Sequence, residues 1–500
     1  MQLKALGRRY LAAALAMPLT ILSACNQANN PKSASASDGG KIPITTKSEE
    51  ARNEFLQGRA LAEKLLAQDS LAHFDRAIAL DSDFAFAELS RANASPTAKE
   101  FFEHQQKAVG LADKASEGEK LLILANQAGA NGDPTKQKEY LDKLVSEYPN
   151  DERAHFNLGG YYFGQQEFAQ AIEEYKKATQ LAPDYSPAYN ILGYAYRQQG
   201  DFNSAEQAFK KYIELIPNDP NPYDSYGELL LKMGKFDESI AQYRKALSVD
   251  SHFVPSHFGI AADLTYMGKQ QEANAELQKI LDQARSDGDT RLGLFGMAVV
   301  AADNGKFDQA AQAIDKEYAV AEKKNDAGSM AADLQAKGNI LLAARRYAEA
   351  QKAFDRSLQI TQGSNLSQEI KDNATRQHHF NTTMVAAGKK DFTTAKAEAE
   401  EFRKAAEASK NAAQVKQSHE LAGVIALAQN NYDGAIAELE QANLQNPQNL
   451  YRLYQAYQAK GDSAKAQQYL ASAANFNPLP QLNFAFIRAK AQKDANNKKS

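Results

Sequence analysis

A period of 34 residues constrains this chain more than any other feature. The stretches "AHFNLGGYYFGQQEFAQAIEEYKKATQLAP", ending at Pro183, and "AYNILGYAYRQQGDFNSAEQAFKKYIELIP", ending at Pro217, superpose residue for residue. Leu158, Gly159, Tyr162, Ala171 and Tyr175 fall on Leu192, Gly193, Tyr196, Ala205 and Phe209. The apolar residues within each copy recur at helical spacing, which predicts two amphipathic helices per copy. Gly159, Gly193 and Gly227 leave room for the two helices to approach, with Ala171 and Ala205 as small partners on the facing helix. Gly200, Gly234 and Gly268 sit where the first helix must end, in a backbone conformation that bulkier residues resist. Phe168, Phe202 and Phe236 open each second helix, and Pro183 and Pro217 stop it. A unit of this size cannot bury its apolar face alone, so the copies must stack.

The pattern L-G-x2-Y…A-x3-F…P at a 34-residue period resembles the tetratricopeptide repeat. The family's tryptophan is missing, and His155, Tyr189, Tyr223 and His257 fill its slot. The resemblance implies an all-α, right-handed superhelical solenoid of about eleven helix pairs, closed by a C-terminal capping helix. It also implies a concave face lined by the first helix of each pair, suited to protein or peptide partners. The family's groove positions carry over to Arg153, Phe156 and Phe163, to Asn190, Tyr194 and Arg197, and to Asn221, Asp224 and Glu228. On this reading they are recognition positions rather than packing positions; the edges between repeats and the convex face are the other candidate surfaces. The clamp that some members use for a partner's C-terminal carboxylate is not matched. Phe156, Gly160, Ile191, Asn221 and Ser225 stand at its positions.

Copies of the 34-residue unit fit residues 51–287, and Gly58, Phe74 and Ala77 hold their expected places in the first. From 288 to 446 the opening aromatics Phe307, Tyr347, Phe392 and Tyr432 stand 40, 45 and 40 residues apart. Longer helices or longer turns must absorb the difference. The polar stretch "DQARSDGDTR", residues 282–291, is the expected boundary between the halves. A short unit returns at 447–480, followed by an amphipathic stretch at 481–493, expected as the cap, and a polar tail at 494–500.

The first fifty residues carry a different message. Lys4, Arg8 and Arg9 precede a thirteen-residue apolar run from Tyr10 to Leu22, the order of an export signal. A bilayer-spanning helix takes about 20 residues, so this run is too short for a permanent span. The signal, residues 1–24, ends in "LSAC", which resembles a bacterial lipobox. Cys25, the chain's single cysteine, is then the lipidated mature N-terminus, and residues 25–50 are a polar, flexible tether. By the family's sorting habit, Asn26 implies the outer membrane, with the array facing the periplasm.

No pattern for catalysis emerges. His378 and His379 are adjacent and diverge on a helix, and His252 and His257 lack a carboxylate at metalloprotease spacing. Phosphate-binding, nucleophile-elbow and calcium-loop motifs are missing from the sequence. Acidic residues number 62 against 58 basic, which disfavours nucleic-acid binding. The sequence therefore predicts a non-enzymatic, cofactor-free scaffold for protein partners in the cell envelope, in pilus, secretion or outer-membrane assembly. A solute- or glycan-capturing lipoprotein beside an outer-membrane transporter is the alternative, and a degradation adaptor a third.

Overall fold

The computed structural model describes residues 40–64, 66–409 and 411–497. Among these, helices follow one another in antiparallel pairs, each packed on the next. The first pairs are α1 (Glu49–Glu63) with α2 (Ala67–Leu80), α3 (Ala85–Ala94) with α4 (Ala98–Leu111), and α5 (Glu117–Asn131) with α6 (Pro134–Glu147). The most regular are α7 (Glu152–Gly164) with α8 (Phe168–Leu181), α9 (Ser186–Gln199) with α10 (Phe202–Leu215), α11 (Pro220–Lys232) with α12 (Phe236–Val249), and α13 (Val254–Tyr266) with α14 (Gln270–Asp282). Then come α15 (Asp287–Asp303) with α16 (Phe307–Lys323), α17 (Ala327–Ala343) with α18 (Tyr347–Gln362), α19 (Gln368–Lys389) with α20 (Phe392–Ser409), and α21 (Ala412–Ala428) with α22 (Tyr432–Leu439). The last pair is α23 (Pro447–Lys460) with α24 (Ser463–Ala474), followed by α25 (Leu482–Ala485) and α26 (Arg488–Asn497). The fold is an all-α solenoid. Twelve pairs are described, one more than the sequence suggested.

The repeat residues act as their chemistry requires. A Cβ placed on Gly193 would stand 2.7 Å from the buried Phe209 ring, and one on Gly159 would stand 2.7 Å from the Tyr175 ring. Aromatic residues open the second helices α8, α10, α12, α16, α18, α20 and α22. The wider spacing after residue 287 is absorbed by longer helices: α15, α16, α17 and α21 each have 17 residues and α19 has 22, against 13 or 14 in α7 to α14.

From the third pair onward, the turn inside each pair uses one left-handed residue. Gly200, Gly234, Gly268, Gly305 and Gly461 supply it, with φ between 71° and 84°. In other pairs the same place is held by Gln166, Arg345, Lys390 and Asn430, with φ between 60° and 64°. A side chain in this region costs about 1–2 kcal/mol, partly offset by the greater chain entropy that glycine loses on folding. Lys390→Gly is therefore expected to stabilise its pair by about 0.5–1 kcal/mol, measured as a rise in urea midpoint at unchanged slope.

Three expectations need refinement. At residues 282–291 the helices lengthen, but packing continues across the stretch. Ser286 caps α15 by accepting from the Asp289 N–H, and Arg291 reaches the fully buried Asp333 and Glu317 carboxylates. Polarity here serves a helix start and an ion cluster, and α14 packs on α15 as its counterparts do elsewhere. The tether does not run to residue 50. The Ile42 N–H donates to Asp151 at 2.8 Å, the Thr45 N–H to Glu119 at 2.9 Å, and the Lys47 N–H to Asp81 at 3.0 Å. Residues 41–47 thus form an extended strap across the turns between the first four pairs. Helices pack about 8–10 Å apart and an extended chain advances about 3.3 Å per residue, so a bond every two or three residues keeps step with the array. Finally, residues 481–493 do more than cap the last pair. α25 lies against the first helices α15 and α17 as well as α23, on the far side of the central channel.

The array also meets itself. Arg285 pairs with Asp69 at 3.5 Å, Gly328 packs on Ala98, and Lys416 reaches Gln166 at 3.4 Å. Each contact joins residues about seven pairs apart. Successive first helices touch one another along much of the array, whereas successive second helices make no comparable contact. The first helices therefore lie on the inside of the curve.

Candidate functional site

The nine residues expected in the groove do lie on first helices, yet six of them are buried. Asn190, Tyr194, Arg197, Asn221, Asp224 and Glu228 are each less than a tenth exposed. Tyr194, Arg197, Asp224 and Glu228 join consecutive first helices. Tyr194 donates its hydroxyl to Ser225 at 3.2 Å, Arg197 pairs with Glu228 at 3.2 Å, and the Ser256 hydroxyl donates to Asp224 at 2.9 Å. Asn221 donates to the Tyr212 hydroxyl at 2.6 Å. Tyr194 also packs edge-on against Phe209 with ring centroids 5.0 Å apart, and burial holds its phenol well above the ordinary value. The expectation that Asn190, Tyr194 and Arg197 take no part in packing is thus overturned. The first helices crowd together on the inside of the curve, so side chains there meet the next repeat before they meet solvent.

Arg153, Phe156 and Phe163 are half-buried. Side chains of the α1–α2 turn reach this part of the inner face. Glu63 accepts from Arg153 at 3.0 Å, Lys64 pairs with Asp219 at 3.4 Å, and the Arg153 guanidinium lies 4.9 Å above the Tyr185 ring. Phe156 meets Tyr185 edge-on at 5.5 Å, and Phe163 meets Phe168 at 5.5 Å. Cys25 lies outside the described residues.

The histidines have a collective role that the sequence reading missed. His73, His155, His257, His379 and His419 each bond, at 2.6–2.7 Å, a glutamate nineteen residues away on the other helix of the pair: Glu54, Glu174, Glu276, Glu398 and Glu438. His104 meets Glu88 at 2.5 Å in the same way. The recurring spacing was available in the sequence, but only a folded pair makes its meaning plain. At His155 the Glu174 carboxylate and the Pro149 carbonyl accept from both ring nitrogens, which raises the imidazole pKa above its ordinary value. That clip contributes fully below the unfolded-state pKa and is lost as pH rises through the folded-state one. Among the described residues, no cluster of three or more histidine, cysteine or acidic side chains could hold a metal, and no helix is long and apolar enough to cross a membrane.

Family models described as tetratricopeptide repeat match residues 150–218 and 221–253. The chain carries tetratricopeptide repeats at these residues. The matched residues are α7 to α12, where the spacing is most regular, and repeats of this kind mediate contacts between proteins. No curated protein matches the chain. Among solved structures, a MamA protein is 24% identical over 33% of this tetratricopeptide-repeat chain and 91% of its own, with a TM-score of 0.28. MamA from Desulfovibrio magneticus RS-1 is 15% identical over 34% and 97%, with a TM-score of 0.29. A tetratricopeptide repeat protein from Parabacteroides merdae ATCC 43184 is 18% identical over 52% and 98%, with a TM-score of 0.36.

Proposed function

We propose that this tetratricopeptide-repeat protein is a lipid-anchored, non-catalytic scaffold on the periplasmic side of a bacterial outer membrane, where it holds protein partners during assembly or regulation of an envelope complex. One observation carries the binding part of this reading. The array already holds two segments of its own chain as a receptor holds peptides: the strap 41–47 on its turn edge and residues 476–488 inside its channel. Backbone N–H and C=O groups of both segments bond to side chains of the repeats, contacts that another protein's segment can also make.

The anchoring part rests on "LSAC" behind a short apolar run. Residues 26–39 would link Cys25 to the strap over at most about 50 Å, keeping the array close to the membrane surface. Two or more acyl chains give lasting attachment where one gives only marginal binding. Replacing Cys25 with serine is expected to abolish palmitate labelling and to move the protein from the membrane to the soluble envelope fraction. Crosslinking in cells, followed by mass spectrometry, is expected to recover envelope proteins from the unaltered chain. Unchanged labelling and fractionation of the serine variant would refute the anchor, and recovery of cytoplasmic partners alone would refute the envelope role.

A further inference from the structure

The C-terminal residues break the nearest-neighbour rule that governs the rest of a solenoid. Residues 475–481 leave α24 and cross the channel without helical structure, Asn477 at φ +40° and Pro478 and Pro480 among them. The Phe476 carbonyl accepts from Lys232 at 2.5 Å, and the Pro478 carbonyl accepts from the Tyr266 hydroxyl at 2.6 Å. Phe484 is fully buried and meets the Tyr266 ring edge-on at 5.4 Å. Leu482 and Ala485 join the apolar surface formed by Val299, Ala302 and Ile340. Arg488 then forks onto Asp303, Nε to Oδ1 at 2.6 Å and Nη2 to Oδ2 at 2.5 Å, with its guanidinium 5.5 Å from the Tyr266 ring. A single segment thus lies across the inner helices α11, α13, α15 and α17. It is held by carbonyl, aromatic and guanidinium contacts.

Two features mark this segment as an exchangeable occupant rather than one more repeat. The Arg488–Asp303 pair is more than nine-tenths buried on both sides, and the desolvation of such a pair roughly offsets its attraction. It therefore adds little net stability, yet it rejects any segment lacking a guanidinium at that place. The non-helical connection through Asn477, Pro478 and Pro480 also separates the segment from α24, and a small void persists where Pro480 and Gln481 face Val299 and Asp303.

We propose that the channel face of α11, α13, α15 and α17 is a recognition groove for a partner protein segment bearing a phenylalanine one helical turn before an arginine. Residues 476–488 are its resident occupant, which the partner displaces. This rests on the scaffold reading above and adds to it the chemistry of the bound segment and the closed state of the free chain.

The probe is a fluorescent synthetic peptide of residues 475–497, titrated into the full chain. In the Arg488→Glu variant, repulsion from Asp303 opens the groove, and binding at least tenfold tighter than to the unaltered chain is expected. A peptide carrying the same Arg488→Glu change is expected to lose that binding. Combining Arg488→Glu with Asp303→Arg restores the pair with reversed sign and is expected to shut the groove to the original peptide. Equal binding by unaltered and opened chains, or binding indifferent to the peptide's arginine, would overturn the proposal. So would a dimeric Arg488→Glu variant that ignores the peptide, because the occupant would then be a second copy. Should the variants fail to fold, hydrogen exchange on the unaltered chain decides. Residues 482–488 exchanging faster than α24 supports release, and exchange only together with α15 and α24 overturns it. None of these readouts involves Cys25 or a cellular partner, so the groove and the envelope role can fail separately.

Discussion

Gly193→Leu is expected to unfold the α9–α10 pair locally and to cost about 3 kcal/mol or more, at the upper end of what overpacking costs. The new side chain would begin 2.7 Å from the Phe209 ring, which is fully buried and braced by the Tyr194 ring 5.0 Å away. Neither ring has space to retreat, so the two helices must separate. Gly164→Ala is the matched control, because a Cβ there meets nothing within 4 Å. It is expected to be neutral or to stabilise α7 by about 0.5–1 kcal/mol through the lower chain entropy of alanine. Urea denaturation gives the two energies, and limited proteolysis locates the damage. Cleavage within residues 186–215 of the leucine variant, with pairs farther along resistant, is the expected pattern for an array of nearest-neighbour contacts.

The second large effect is expected at Asp263. This residue is fully buried on α13, and neither carboxylate oxygen meets a donor in bonding geometry. The nearby Ser239 hydroxyl donates instead to the Gly227 carbonyl at 2.8 Å. Burial pushes the Asp263 carboxyl up to about 8. The native chain then holds this proton at neutral pH while the unfolded chain, with an ordinary aspartate, has released it. Stability must fall as pH rises from about 4 to about 8, by up to about 1.4 kcal/mol per unit, and level off above that. This is opposite in sign to the usual buried carboxylate that gains a partner. Asp263→Asn removes the titrating group, so it is expected to abolish that slope and to raise stability at pH 7 by about 1–3 kcal/mol. Urea midpoints at pH 5, 6, 7 and 8 test this directly, and a variant with the same slope as the unaltered chain would contradict it.

The pairing of helices was legible because each repeat residue acts within its own unit. Gly193 answers to Phe209 sixteen residues on, and Gly200 answers to the turn it sits in, so a local pattern suffices. What the sequence hid depends on curvature, which is the sum of small rotations over many pairs. Nothing near Asp303 announces Arg488, and nothing near Asp151 announces Ile42, because those partners meet only after the array has turned. Six of the nine groove positions are buried for the same reason. Tyr194 and Arg197 occupy the places that the family pattern gives to recognition, but here the inner helices are close enough for Ser225 and Glu228 to take both side chains. The polar run 282–291 reads like a linker because capping and ion-pairing residues have a linker's composition. Its folded role depends on Asp333, which lies far along the chain.

The central claim is that one continuous array turns until distant pairs touch, with its own segments bound to it. Zero-length carbodiimide coupling of the unaltered protein, followed by peptide mass mapping, tests this most directly. Lys64 stands 3.4 Å from Asp219 across the channel, and Lys41 of the strap bonds Glu152 at the fourth pair. The expected products are amide links Lys64–Asp219 and Lys41–Glu152 in the monomer, formed while the chain is folded and lost in denaturant. A map containing only links within a pair or between adjacent pairs would show an open array with free ends and would contradict the account.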